Sequence, residues 1–532
     1  MKPSTFLAPF ALLSASLPLL AFSAPVAPVA NCASLATITI ERGAIALPTG
    51  GARVLSAEMQ TAKDDTEPVC VVKGAIAPVD PSAPPINFQL NLPTAWNGKA
   101  LQAGGGGFDG TVVTGRSPAF LPREREPVRL GYVTFGSDSG HTGNGGDASF
   151  ALNAEALANY GGAQIKKTHD AVLALIKRYY GQTPKRMYFI GSSQGGHEGL
   201  IAAERYGADY DGVIAIHPAY NLIELLLDSL ALGQTIYNPA GAWISPDKLA
   251  TVNKAVLAKC DALDGVADGL ISNVAACRKT FDPKTLRCPD GKDTGNTCLS
   301  DAQLTALETL AKPVDFGAEI DGVKVFPGWP VLDGAFGAGT RFGLGMRNPP
   351  GNPPAMMRDA FGYLMGDQGV RYFVLKDPNF KSLTFKTAEH LDALRRAATI
   401  LDANSADLDA FRKHGGKLLL MHGTVDMAIP PGNTVAYWSS LQTRYGTALP
   451  SFARFYMAPG FGHGDGAFQV QWDSLTTLDE WVEAGKPPAA QTVRDGTQTG
   501  NGRTRPLCEY PLWPKYVRTG DANLAASFAC VK

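Results

Sequence analysis

The apolar run Met187-Tyr188-Phe189-Ile190 stops at Gly191-Ser192-Ser193-Gln194-Gly195-Gly196. The run reads as a strand, and the glycine-flanked segment after it reads as a sharp turn into a helix. A serine at the apex of such a corner is a nucleophile elbow. The flanking glycines let the backbone turn tightly, and the turn lifts the Ser193 hydroxyl to where a base and a carbonyl group can reach it. The G-x-S-x-G spacing alone is weak, and a purely structural turn is its alternative. With a strand before it and paired glycines after it, the feature points to the α/β class and, within it, to the α/β-hydrolase fold.

That fold places an acid and then a histidine after the serine in chain order. Lys417-Leu418-Leu419-Leu420-Met421 reads as a strand, and His422-Gly423-Thr424-Val425-Asp426 leaves it as a loop, so Asp426 is the candidate acid. Of the eight histidines only His463, in Pro459-Gly460-Phe461-Gly462-His463-Gly464, lies beyond it. The strand-like Ala453–Met457 leads directly into that loop. In this arrangement His463 takes the Ser193 proton during attack, and Asp426 holds the imidazole in the required tautomer. A tetrahedral oxyanion also needs backbone donors. One is expected from Gln194, the residue after the nucleophile. The other is expected from the glycine run Gly104-Gly105-Gly106-Gly107, which follows Leu101-Gln102-Ala103. A phosphate cradle is the rival reading of that run, but no Lys-Ser/Thr follows it and no G-x-G-x-x-G is present.

The chain has 532 residues, 45% hydrophobic and 18% charged, which suits a globular protein with room for a large insertion. A formal net charge of -1 gives no electrostatic case for nucleic acid or an anionic membrane as partner. Lys2 followed by an apolar stretch from about Phe6 to Phe22 and by Ala21-Phe22-Ser23 reads as a signal peptide over residues 1–24, with a membrane anchor as the alternative. No later stretch is long and apolar enough to span a bilayer. A secreted or periplasmic protein is therefore expected, and its eight cysteines suggest disulfides. Pairing of sequence neighbours (Cys32 with Cys70, Cys260 with Cys277, Cys288 with Cys298, Cys508 with Cys530) is the economical set, although sequence alone leaves connectivity open.

Two regions have α/β texture, residues 31–220 and 405–532. Residues 221–404 between them differ: paired cysteines, Asp/Gly turns, a Pro/Gly tract at Asn348–Pro354 and many aromatics. This segment reads as an insertion forming a lid domain over the site, since loops of that length without a role are uncommon. Its aromatics include Phe326, Trp329, Phe336, Phe342, Phe361, Tyr363, Tyr372 and Phe373, which either stack on an aromatic acyl group or fill the insertion's own core. Arg341, Arg347, Arg358 and Arg371 are candidates to hold a substrate carboxylate, with solvated surface positions as the alternative. Within the insertion, Cys260 to Leu270 carries Asp261, Asp264 and Asp268 among glycines. Hard oxygen ligands suit Ca²⁺, but the spacing is not that of an EF-hand, and on chemistry alone a solvated turn is equally open.

The ordered set of Gly104–Gly107, Gly191–Gly196, Cys260–Gly269, His422–Asp426, Pro459–His463 and Arg505-Pro506-Leu507-Cys508 resembles the tannase and feruloyl esterase family over nearly the whole mature chain. The resemblance implies an α/β-hydrolase with a large lid, acting on small-molecule esters of aromatic acids (feruloyl, galloyl or terephthalate-monoester type). It implies a triad of Ser193, Asp426 and His463, with Gly107 and Gln194 at the oxyanion hole. It also implies a structural Ca²⁺ in the lid, held by the side chains of Asp261, Asp264 and Asp268 and by the carbonyls of Val266 and Leu270. One departure stands out. Many members carry bridged cysteines just before the serine and just after the histidine, where this chain has Ser192 and Gly464. Hydrogen bonds or packing are expected to hold His463 instead. Competing readings are a broad carboxylesterase or peptidase on the same fold, and a calcium-dependent binding protein with an inactive core.

Overall fold

The computed structural model describes residues 24–61, 68–118, 120–337, 341–497, 500 and 502–532. The expected signal peptide lies, apart from Ala24, outside them. No described helix is long and apolar enough to cross a membrane. Strands β1 (Thr39–Ile40), β2 (Ala52–Gln60), β3 (Val69–Ile76), β4 (Ile86–Pro93), β5 (Lys99–Ala103), β6 (Val133–Ser137), β7 (Arg186–Ser192) and β8 (Gly212–Ile216) come first along the chain. A separate hairpin follows, β9 (Val314–Ile320) with β10 (Val323–Phe326), and then β11 (Lys417–Gly423) and β12 (Ala453–Ala458). Apart from the hairpin these form one sheet in the order β1-β2-β3-β4-β6-β5-β7-β8-β11-β12. From β6 to β12 every neighbouring pair is parallel, whereas β1 to β4 run antiparallel and join through β4 and β6.

Strand periodicity builds the layers. Phe189, Val213, Leu418, Leu420 and Phe455 face one side, against the helices Gln164–Tyr180, Gln194–Arg205 and Pro431–Tyr445. Tyr188, Ile190, Ile214, Leu419, Met421 and Tyr456 face the other, against the helix Ser474–Ala484. Central strands covered on both faces need an almost continuous apolar sequence, which is why they are legible as apolar runs. Truncating Leu420, fully buried here, is expected to cost about 2–5 kcal/mol.

β8 and β11 are hydrogen-bonded neighbours, although the whole insertion leaves the sheet after one and returns before the other. The insertion has its own apolar core, which also takes in Phe108, Tyr160 and Val425 to Ile429 from the sheet's loops. Four disulfides join Cys32–Cys70, Cys260–Cys277, Cys288–Cys298 and Cys508–Cys530, the sequence-neighbour set. Each stabilises by about 2–4 kcal/mol through restriction of the unfolded chain.

Candidate active site

β7 ends at Ser192, and Ser193 turns the chain into the helix Gln194–Arg205 with φ 62° and ψ −122°. A non-glycine residue there is strained by about 1–3 kcal/mol. The strain is held by neighbours: the Ser193 amide donates to Ile216 O at 3.0 Å, and its carbonyl accepts from His197 N at 3.0 Å. Gly191 has no alternative residue, since a Cβ there would stand 2.0 Å from Gly195 O. The elbow is therefore shaped by packing between its own two limbs.

The loops after β11 and β12 bring the other two residues to the same end of the sheet. His463 Nε2 lies 2.8 Å from Ser193 Oγ, and His463 Nδ1 lies 2.8 Å from Asp426 Oδ2. Asp426 Oδ1 accepts the amides of Ala428 and Ile429 at 2.8 and 2.9 Å. Complete burial pushes this carboxyl up, but His463 and then His422 and His217 outweigh it, so its pKa lies well below the ordinary value. An ionised Asp426 leaves His463 with its proton on Nδ1 and a free lone pair toward Ser193 Oγ.

The glycine run after β5 passes beside the elbow: Gly104 N donates to Ile190 O and Gly195 N donates to Gly105 O, at 2.9 and 3.0 Å. Gly107 has φ 60°, and a Cβ there would meet Gly145 O at 2.4 Å, so only glycine fits. Gly107 and Gln194 both line a cavity of about 530 Å³ that contains Ser193 and His463. As the first residue of its helix, Gln194 has no carbonyl of that helix to receive its N–H. The insertion supplies much of the cavity wall through Leu222, Leu226, Phe342, Phe361 and Met365. The Phe342 ring stands edge-on to His463, centroids 5.1 Å apart.

Residues 70–531 match the family described as tannase and feruloyl esterase. The chain belongs to that family. As a member it is a carboxylic-ester hydrolase. It is 37% identical to an uncharacterized esterase of Agrobacterium fabrum, over 96% of this chain and 94% of that protein. It is 30% identical to the mono(2-hydroxyethyl) terephthalate hydrolase of Piscinibacter sakaiensis, over 87% of this chain and 84% of that one. The fold matches the crystal structure of feruloyl esterase B from Aspergillus oryzae with TM-score 0.76 at 22% identity, covering 91% of this chain and 98% of that one. An esterase from the same organism gives TM-score 0.77 at 24% identity, covering 94% and 100%. The α/β-hydrolase fold expected from the elbow is thus the fold of this tannase and feruloyl esterase family member.

Of the insertion's aromatics, Phe342 and Phe361 reach this family member's cavity, while Phe326, Trp329, Phe336, Tyr363 and Phe373 are buried in the insertion's core. Arg341 is the arginine that lines the cavity; Arg347 pairs with Asp359 and Arg371 with Asp367. Sequence reasoning missed three groups. Asp465 accepts the His463 amide on Oδ1 and the Arg341 amide on Oδ2, at 2.9 and 2.8 Å, and so ties the histidine loop to the insertion. His217 sits beneath His463, ring centroids 4.3 Å apart. Asp109 and Glu198 form a buried carboxyl pair behind the glycine run. The first two have a positional signal, since His217 directly follows β8 and Asp465 lies two residues past His463. Sites in parallel α/β sheets gather at the carboxyl ends of strands.

The Asp/Gly loop lies against the histidine loop, with Leu270 packed where a Cβ on Gly460 would stand. Asp261 accepts the amides of Asp268 and Gly269 at 3.0 Å, Asp264 Oδ1 accepts Val266 N at 3.2 Å, and Asp268 pairs with Arg505. The three carboxylates are thus engaged separately. Asp264 Oδ2 is buried without a well-aligned donor among the described residues, although Ser272 lies beside this carboxyl, and burial lifts it to about 6. Three carboxylates set against one arginine, with a hard oxygen lacking a well-aligned donor, fit a divalent cation by charge and donor type.

Proposed function

We propose that this protein is a secreted serine esterase that hydrolyses esters of aromatic acids through Ser193, His463 and Asp426. The observation that carries the mechanism is the continuous hydrogen-bonded line from Ser193 Oγ through His463 to Asp426, 2.8 Å at each step. Ser193 Oγ attacks the ester carbonyl as His463 Nε2 takes its proton, and the imidazolium is stabilised by Asp426. The Gly107 and Gln194 amides receive the oxyanion. Collapse expels the alcohol, which takes the proton back from His463 and leaves an acyl group on Ser193. Water, deprotonated by His463, then releases the acid and restores the enzyme.

The acyl-group reading is supported by the aromatic-walled cavity and by relatives named for terephthalate-monoester and feruloyl esters. Export is supported by the four disulfides, which persist in oxidising compartments. The test is a p-nitrophenyl ester burst with wild type and Ser193→Ala, expected to lose about 10⁴-fold or more in kcat. It is followed by a panel of methyl ferulate, methyl gallate and mono(2-hydroxyethyl) terephthalate. A burst that survives in Ser193→Ala defeats the mechanism. A preference for simple aliphatic esters over all three aromatic ones defeats the substrate class.

Ca²⁺ at Asp261, Asp264, Val266, Asp268 and Leu270 belongs to the same proposal. Bound there, the ion would supply charge neutralisation and rigidity beneath the histidine loop. Chelation is expected to lower Tm by several degrees, with recovery on adding Ca²⁺. An unchanged melting curve counts against it.

A further inference from the structure

The covalent tie expected of this family between the serine and histidine loops is missing at Ser192 and Gly464, and the structure puts a histidine between those loops. His217 leaves the end of β8 with φ 32°, its amide donating to Met421 O at 2.7 Å, so its backbone is anchored between β8 and β11. Its ring is closed in by Phe120, Phe461, His422 and His463, at centroid distances of 5.5, 5.7, 5.8 and 4.3 Å. It is fully buried, and its two nitrogens face different elements. Nε2 is 2.7 Å from Ser192 Oγ, on the nucleophile's own turn. Among the described residues Nδ1 has no hydrogen-bond partner, and it faces Asp426 Oδ2 at 3.7 Å.

These contacts determine the tautomer. A proton on Nδ1 meets the carboxylate's negative charge, while a bare Nδ1 lone pair would meet it unfavourably. With Nδ1 protonated, Nε2 is the acceptor and the Ser192 hydroxyl donates to it. We propose that His217 is a positioning residue: a neutral Nδ1–H imidazole that fastens the Ser193 turn through Ser192 and braces the His463–Asp426 pair from below. Burial, and after it His463, keep its pKa well below the ordinary value, so it stays neutral when His463 takes the Ser193 proton. It neither meets substrate nor carries a reacting proton. Its effect is to hold the 2.8 Å spacing between base and nucleophile, where a misplacement of about 1 Å can cost about 10²-fold.

This inference rests on Ser193 and His463 acting as nucleophile and base. The experiment measures kcat and KM per burst-titrated site, and the rate of Ser193 labelling by an organophosphate, in His217→Ala, Ser192→Ala and the double variant. His217→Ala is expected to lose about 10- to 100-fold in kcat and labelling rate with KM within about two-fold, and Ser192→Ala about 3- to 10-fold. The double variant should match His217→Ala, because both substitutions cut one connection. Wild-type kcat in a folded His217→Ala, or losses that multiply in the double variant, would overturn the proposal. If His217→Ala does not fold, Ser192→Ala decides alone, and full activity there overturns it. Hydrolysis that is independent of Ser193 in the parent enzyme would sink the esterase mechanism itself, and this inference with it.

Discussion

Two carboxyl sites on either side of Ser193 are equally shut off from water and differ in protonation, one holding an ionised carboxylate and the other keeping a carboxyl proton. Asp426, on the histidine side, is fully buried and ionised. Asp109 and Glu198, behind the glycine run on the oxyanion side, are buried to 3% and 1% exposure, and burial followed by mutual repulsion raises the pKa of Asp109 well above the ordinary range. Burial does not distinguish the sites, but a count of donors does. Asp426 receives two amides, the His463 N–H at 2.8 Å and the His422 imidazole at 3.4 Å, with His217 adding electrostatic attraction alone from 3.7 Å. His422 belongs in that count because its Nε2 also points at Ile429 O, a pure acceptor, so that nitrogen must carry the proton. At the other site Glu198 accepts Gly105 N at 3.0 Å and Gln164 Nε2 at 2.8 Å, whereas Asp109, beside the Gly106 amide, leaves its Oδ1 without a well-aligned donor among the described residues. Ser139 Oγ contacts both Asp109 and Glu198 with a single hydroxyl proton to give. Two buried carboxyls that repel each other and share one hydroxyl donor are relieved by a carboxyl proton retained on Asp109. The comparison teaches that a buried acid's charge is set by the donors its neighbours present.

The largest expected effect tests the charge assignment directly. Asp426→Asn keeps the shape but loses the charge and favours the wrong His463 tautomer, so kcat on an aromatic ester should fall about 10³- to 10⁴-fold. Asp109→Asn imitates a carboxyl already neutral, and its loss should stay under about ten-fold. Steady-state rates on burst-titrated enzyme measure both, and equal losses at the two positions would break the distinction.

The two sites also differ in how far the sequence disclosed them. Ser193, Asp426 and His463 were legible because each sits where an apolar strand ends in a glycine-marked loop, so strand order and chain order together point at them. Nothing local distinguishes Glu198, which reads as one more charged position on a helix, or Asp109, which reads as a turn. Their pairing depends on the glycine run lying against the elbow helix, a contact set by β5 pairing with β7. His217 carried only the signal of following an apolar strand, and its role became visible once β8 was placed between β7 and β11. The insertion's aromatics share one composition, and only packing separates Phe342 and Phe361 at the cavity from Phe326 and Trp329 in the core.

A middle-sized effect separates the two members of the proton-sharing pair. Glu198→Gln must turn an amide nitrogen toward Gly105 N–H or toward its Gln164 and Ser139 partners, and a mismatched buried contact costs about 1–3 kcal/mol. Asp109→Asn offers an N–H where Asp109 now offers its proton, and should change stability by less than about 1 kcal/mol. Urea unfolding of the two variants decides the order. If Asp109→Asn proved the more destabilising, the proton would belong on Glu198.

The smallest effect is the shape of stability against pH, and here the two sites pull in opposite directions. Asp426 has a folded pKa below its unfolded value, so its share of stability is present above about pH 4 and disappears as pH falls further. Asp109 has a raised folded pKa. Burial likewise lifts Asp138 to about 6 and Glu204 to about 7, values these carboxyls reach only in the folded chain. The unfolded chain releases such protons near pH 4, so between there and neutrality the folded state binds more protons and the free energy of unfolding falls as pH rises. Buried His141, His197 and His217 oppose part of this, since they bind a proton below about pH 6.5 only in the unfolded chain, but the raised carboxyls outnumber them, so Tm is expected to be highest on the acid side of neutrality and to drop by a few degrees between about pH 5 and pH 8. Asp109→Asn has no carboxyl proton to lose at that position and should flatten the drop, whereas His217→Ala should steepen it slightly, because that imidazole stays neutral in the fold but takes up a proton below about pH 6.5 in the unfolded chain. A slope unchanged by Asp109→Asn would mean that the carboxyls behind the glycine run are as ionised as Asp426.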